Sequence, residues 1–126
     1  MGRGEIQSHR DLVAWQLGVR LAREIYLVSE RFPSHEKYGL CNQVRRAAVS
    51  VPSNIAEGYG RGTRQDYLRF LRMARGSVFE IDTQLLIARE LGYLDQDSHT
   101  TIEATLHECG RVLAGLIRSI EAGTDA

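Results

Sequence analysis

His99, Glu103 and His107 recur at four-residue intervals, which sets two imidazoles and a carboxylate along one flank of a helix. That is the donor set of a metal-dependent hydrolase. The pattern is not the Glu-x-x-His of di-iron bundles, however, and no matching carboxylates stand out elsewhere. A solvated stripe is therefore expected, with no metal and no cofactor. Gly58-Tyr59-Gly60-Arg61-Gly62 resembles part of a phosphate-binding loop, but no strand precedes it and the Walker lysine is missing. A flexible connection between helices is the expected role. Neither Cys41 nor Cys109 pairs with a histidine in a nucleophile arrangement, and two scattered cysteines among helical residues read as reduced core thiols. Ser50, two residues before Pro52, is expected to bond back to a carbonyl that the proline frees.

The arginines are the remaining chemical candidates. Arg69, Arg72 and Arg75 leave one broad side of a helix at three-residue intervals, Arg45 and Arg46 leave another helix at divergent angles, and Arg61 and Arg64 flank the glycines. Residues 45–75 carry seven basic and two acidic groups, whereas residues 76–126 carry three and nine, so a net charge of zero conceals a basic middle and an acidic tail. Fifteen of the sixteen basic residues are arginine, whose planar fork suits phosphate and can stack on bases. One outcome is a solvated face with ion pairs to Glu57, Asp66 and Glu80; the other is an anion-binding surface for RNA or another nucleic acid.

The elements that must carry these residues are helices. At 126 residues, 43% hydrophobic and with two prolines, the chain is the size of one globular domain. No apolar run reaches the roughly 20 residues of a membrane span, and the N-terminus lacks a secretory apolar stretch, so no membrane partner and a cytoplasmic location are expected. Leu12, Trp15, Val19, Ala22 and Tyr26 form a 3-4-3-4 seam, taken as the core face of the first helix. Leu17, Leu21, Ile25, Val28 and Phe32 form a second stripe, taken as a subunit interface together with Leu68, Phe79 and Leu86 of the third helix. The second helix runs through Leu40, Val44, Ala47, Ala48, Val51 and Ile55, with Pro52 expected to kink it. Thr63 with Asp66 opens the third helix, whose core face is Tyr67, Phe70, Leu71, Ala74, Val78, Ile81 and Leu85. Asp97, Ser98 or Thr100 opens the fourth, with a stripe from Ile102 to Ile120. The expected fold is all-α: an antiparallel up-and-down four-helix bundle over residues 10–121, between disordered segments at 1–9 and 122–126.

The runs Leu12-Val13-Ala14-Trp15-Gln16, Phe32-Pro33, Glu36-Lys37-Tyr38-Gly39-Leu40, Gln43 through Gly58, Gly76-Ser77, Glu80 and Thr83-Gln84-Leu85 together resemble the small bacterial four-helix-bundle proteins encoded in intervening sequences of large-subunit ribosomal RNA genes. The resemblance implies a homopentameric ring and no enzymatic activity. It carries no catalytic residues; Trp15, Tyr38, Arg45, Arg46, Pro52, Asn54, Glu57, Gly76 and Glu80 map as structural positions. The leading function on these grounds is a non-enzymatic homo-oligomer that associates with RNA through its arginines. The alternative is a scaffold for an unknown protein partner, and the hydrolase ranks below both.

Overall fold

The computed structural model describes residues 5–123 and contains four long helices. They are α1 (Val13–Ser29), α2 (Leu40–Arg61), α3 (Arg64–Glu90) and α4 (Gln96–Glu121), with 3-10 turns at His9–Asp11 and Ser34–Glu36. Among the described residues there is no strand, and no helix is long and apolar enough to cross a membrane.

Local chemistry sets the boundaries. Ser8 and Asp11 close a full capping box around the first turn, so the expected disorder over 1–9 stops short of its inner end. Of the tail expected at 122–126, Ala122 and Gly123 instead close α4, their N–H groups reaching the Arg118 and Ile120 carbonyls at 3.0 Å, while residues 1–4 and 124–126 lie outside the described residues. Gly62, at φ 89°, takes the left-handed conformation that ends α2, and Thr63 Oγ1 then accepts the Asp66 N–H at 3.2 Å to start α3. Gly92, at φ 80°, lets the Tyr93 N–H reach back to the Ala88 carbonyl at 2.9 Å. The fourth helix begins earlier than expected. Asp95 caps it by accepting the Ser98 N–H at 2.7 Å, which puts Asp97 and Ser98 inside the first turn; this bond holds the Asp95 carboxyl below its ordinary range.

Each helix packs against two neighbours in the order α1–α2–α3–α4–α1. The registers are antiparallel throughout. Gly18 lies on Pro52 while Arg45 reaches Ser29; Gly58 lies on Phe70 while Ser50 meets Ser77. Arg72 near the start of α3 reaches Glu121 at the end of α4, and Arg31 past the end of α1 reaches Ser98 at the start of α4. This is the up-and-down arrangement.

The core is continuous along the bundle, with Leu21, Ile25, Ile55, Leu71, Ile81, Leu106 and Leu113 at its centre. Cys41 and Cys109 are both buried free thiols, and burial pushes the Cys109 thiol up to about 11. Pro52 does not end α2, which continues for nine more residues to Arg61. Pro52 has no N–H for the Ala48 carbonyl, yet Ser50 Oγ bonds the Ala47 carbonyl instead, at 2.7 Å, and also meets Ser77 Oγ. The expected rescue of the freed carbonyl is thus displaced by one residue.

The two apolar stripes of α1 are present, and the second one, not the first, faces the core. Leu21, Ile25, Val28 and Phe32 are buried within this one chain, and Leu17 is half-buried against the same core. The other stripe is the more exposed: Val19 is 40% and Tyr26 43% exposed, Trp15 and Ala22 are half-buried, and only Leu12 at its start is buried. Ala14 and Gly18 explain which stripe turns inward. Both stripes repeat every three or four residues, but only the Leu21–Ile25 stripe continues through two small residues, and small residues let α1 approach α2: a Cβ on Gly18 would stand 3.3 Å from Pro52.

Candidate functional site

The arginines do not form one surface. Arg45 is anchored between α1 and α2. Its Nε donates to Ser29 Oγ at 2.7 Å and one Nη to the Tyr26 carbonyl at 3.1 Å; it pairs with Glu30 at 3.2 Å and lies 4.6 Å from the Tyr26 ring centroid. It is a clamp. Arg46 departs toward α3 and lines a polar groove of about 350 Å³ with Asn42, Gln43, Ser50 and Glu80. Fifteen residues along the helix put Arg61 roughly 22 Å away from it.

A second group gathers at the α2–α3 corner. The Arg61 and Arg69 guanidiniums lie 4.8 Å and 4.4 Å from the Phe70 ring centroid. Arg61 also pairs with Glu57 at 2.9 Å and Arg69 with Asp66 at 3.8 Å, two of the three ion pairs the sequence suggested. Arg64 is exposed at the same corner and makes no ion pair with a described residue. Arg72 is tied to Glu121 at 2.6 Å, and Arg75 is half-buried.

The glycines at this corner are not a loop. Gly58 and Gly60 lie inside α2, and a Cβ on Gly58 would come within 2.8 Å of Phe70 Cβ and 3.1 Å of the Tyr67 carbonyl. Gly58 is there to let the helices touch. The flexible-connection reading therefore fails, and so does a glycine loop that cradles phosphate with its main chain, because the last turn of a helix presents carbonyls and the negative end of its dipole. The aromatic residues behind it are tightly held: burial pushes the Tyr67 hydroxyl up to about 12, and its ring meets Tyr59 edge-on.

At the opposite end, Glu36-Lys37-Tyr38-Gly39 forms a latch. Glu36 accepts the Leu40 N–H and the Tyr93 hydroxyl, each at 2.9 Å, and in that order these bonds hold its carboxyl below the ordinary range. A side chain at Gly39 would stand 2.6 Å from the Glu36 carboxylate, which accounts for glycine in that run. Tyr38 is left 85% exposed. Of the other structural positions, Trp15 is packed edge-on to His9, Asn54 donates to the Ser50 carbonyl within α2, and Gly76 faces open space.

The proposed interface residues of α3 separate from those of α1. Phe79 is 65% and Leu86 45% exposed, seven residues apart on one outward line, while Leu68 is half-buried against the core. Ile87 is also exposed beside them.

The imidazole–carboxylate set is divided too. His99 is buried, with Nδ1 lacking a hydrogen-bond partner. Glu103 and His107 stay together, and the third donor is Asp82 of α3: the ligand atoms of these three lie within 4.8 Å of one another. Nothing in the order of residues along the chain marks Asp82, because its place depends on the α3–α4 register.

An all-helical chain whose helices pack antiparallel around one core, with no assembled catalytic nucleophile among the described residues, is a four-helix bundle protein. Residues 10–115 match the family of 23S rRNA-intervening sequence proteins, and the chain belongs to that family. A solved protein of unknown function from the S23 ribosomal protein family of Bacteroides thetaiotaomicron shares the fold, with a TM-score of 0.78 at 20% identity over 84% of this chain and 96% of that one. No curated relative matches the chain.

Proposed function

We propose that this protein is a non-enzymatic, self-associating bundle in which the outward face of α3 packs against the α1–α2 face of the next copy. The observation that carries the reading is the exposure of Phe79, Leu86 and Ile87 on one helix while Val19, Tyr26 and Val49 remain exposed on the other side of the molecule. Contiguous apolar surface of this kind marks an association site. The two faces are unlike, so their contact is heterologous, and a heterologous contact that closes gives a ring. The family resemblance favours five copies for that ring.

The partner of each copy is then the same polypeptide, and a Phe79→Glu, Leu86→Glu double variant should run as a monomer in light scattering with unchanged helical content. A wild-type chain that is monomeric at tens of micromolar overturns the reading. The Ser50 hydroxyl bonded to Ala47 and Ser77, and a Cys109 thiol raised to about 11, support the absence of nucleophilic catalysis.

A second reading, association with RNA, is favoured by the α2–α3 corner, where Arg61 and Arg69 flank Phe70 and Arg64 makes no ion pair with a described residue. The family's description refers to ribosomal RNA. With Arg45 and Arg72 committed to internal partners, about three cations per chain face the solvent there, so affinity for single-stranded RNA should fall with a log–log salt slope of about −2. Arg64→Glu removes a net two charges from that corner and should cut the slope to about −0.7. Salt-insensitive binding overturns this second reading and leaves the first intact.

A further inference from the structure

We propose that Asp82, Glu103 and His107 bind one divalent transition-metal ion, with Zn²⁺ the best match, as a clip across the α3–α4 seam. The inference is independent of the self-association reading. Glu103 and His107 are four residues apart on α4, so both side chains leave the same flank one turn apart. Asp82 joins them from α3 because the two helices are antiparallel and come close at Gly110, where an added Cβ would meet Val78 at 3.4 Å. Asp82 lies one turn beyond Val78, directly across from Glu103 and His107 on the turns before Gly110.

The donors are nearly assembled. His107 Nε2 stands 4.0 Å from Glu103 Oε2, and one ligand atom from each of the three lies within 4.8 Å of the others. Ligands around a tetrahedral Zn²⁺ with bonds of 2.0–2.1 Å stand roughly 3.4 Å apart, so each atom must move by about 1.5 Å or less. Asp82 and His107 are exposed and Glu103 is half-buried, so side-chain rotation supplies that movement without displacing a helix.

Charge points the same way. Along α4 the other paired carboxylates meet arginine: Glu108 with Arg111 at 2.7 Å and Glu121 with Arg72 at 2.6 Å. Asp82 and Glu103 converge on each other with no arginine or lysine within ion-pair range among the described residues; His107 is their nearest basic group. A cation between them relieves that repulsion. The imidazole with two oxygens selects a borderline ion over Mg²⁺ or Ca²⁺, and no thiol is available to select a soft one, since both cysteines are buried. Three protein ligands leave a fourth position for water. His99, one turn earlier on α4, is buried and takes no part.

Calorimetric titration of untagged, metal-stripped protein with ZnCl₂ should give one ion per chain, and excess Zn²⁺ should raise the thermal midpoint by about 5 °C or more. His107→Ala and Asp82→Asn should each weaken binding at least about tenfold, whereas His35→Ala, at an exposed imidazole that meets Tyr93 from the turn between α1 and α2, should leave it unchanged. In the wild-type protein, which needs no variant to fold, the His107 ring resonances should shift at one equivalent and those of His35 should not. Stoichiometry well below one, or equal affinity in the His107→Ala and His35→Ala proteins, overturns the proposal.

Discussion

The α2–α3 seam and the α3–α4 seam share one helix but are closed by different means. Between α2 and α3 the approach is limited by main chain and Cβ atoms: Gly58 touches Phe70 and Tyr67, and the hydroxyls of Ser50 and Ser77 meet across the gap at 2.5 Å. Between α3 and α4 the closest glycine, Gly110, leaves ordinary van der Waals room beside Val78, and the surface ties are the ionic pair Arg72–Glu121 and the Asp82–Glu103–His107 cluster. A seam closed by backbone approach accepts almost no substitution at its contact points. A seam closed by side chains can adjust.

The comparison is tested most severely by paired truncations. Ile55→Ala on α2 and Leu113→Ala on α4 both remove a fully buried side chain, so each should cost on the order of 2–5 kcal/mol. The α2 site should lie at the upper end, because its surroundings cannot collapse into the cavity. Urea denaturation midpoints measure this; equal costs would erase the distinction between the seams. Gly58→Ala is the next largest, at about 1–3 kcal/mol of destabilisation from overpacking against Phe70, even though alanine favours helix. A Gly58→Ala protein as stable as wild type would show that the contact relaxes freely.

Where the sequence was legible, the information was local. The existence of four helices, the Thr63 cap and most of the core stripe on α2, α3 and α4 follow from spacing and residue type. Apart from the Asp95 cap of α4, a local signal, what failed was relational. Periodicity finds two stripes on α1 but cannot say which one turns inward, and the deciding residues, Ala14 and Gly18, look weakly hydrophobic until Pro52 is set against them. The arginines are obvious as a type, yet Arg72's carboxylate lies 49 residues away and Arg45's acceptors include a main-chain carbonyl on another helix. Asp82 belongs to its cluster through the inter-helix register alone. A glycine-rich run read as a loop because helical glycine is costly, and only the close approach of Phe70 shows what offsets that cost.

At the hinge between the two halves of the comparison, Thr63→Ala should cost about 1 kcal/mol, since the hydroxyl satisfies the otherwise free Asp66 N–H at the start of the shared helix. Thermal melting reads the loss, and Thr63→Ser should restore most of it.

The smallest effect should also have the opposite sign. Gly110 is helical, half-buried and 3.4 Å from Val78 Cγ1 when given a Cβ, a normal contact distance that requires no shift. Alanine there removes the entropic cost of a mid-helix glycine, up to about 1 kcal/mol, and adds a methyl group that packs on Val78. Gly110→Ala should therefore raise stability by roughly 0.5–1 kcal/mol, as read by the denaturation midpoint at unchanged slope. The same chemical change at Gly58 lowers it. If Gly110→Ala proved destabilising by a similar amount, α4 would be held against α3 by backbone approach as well, and the two seams would no longer differ in kind.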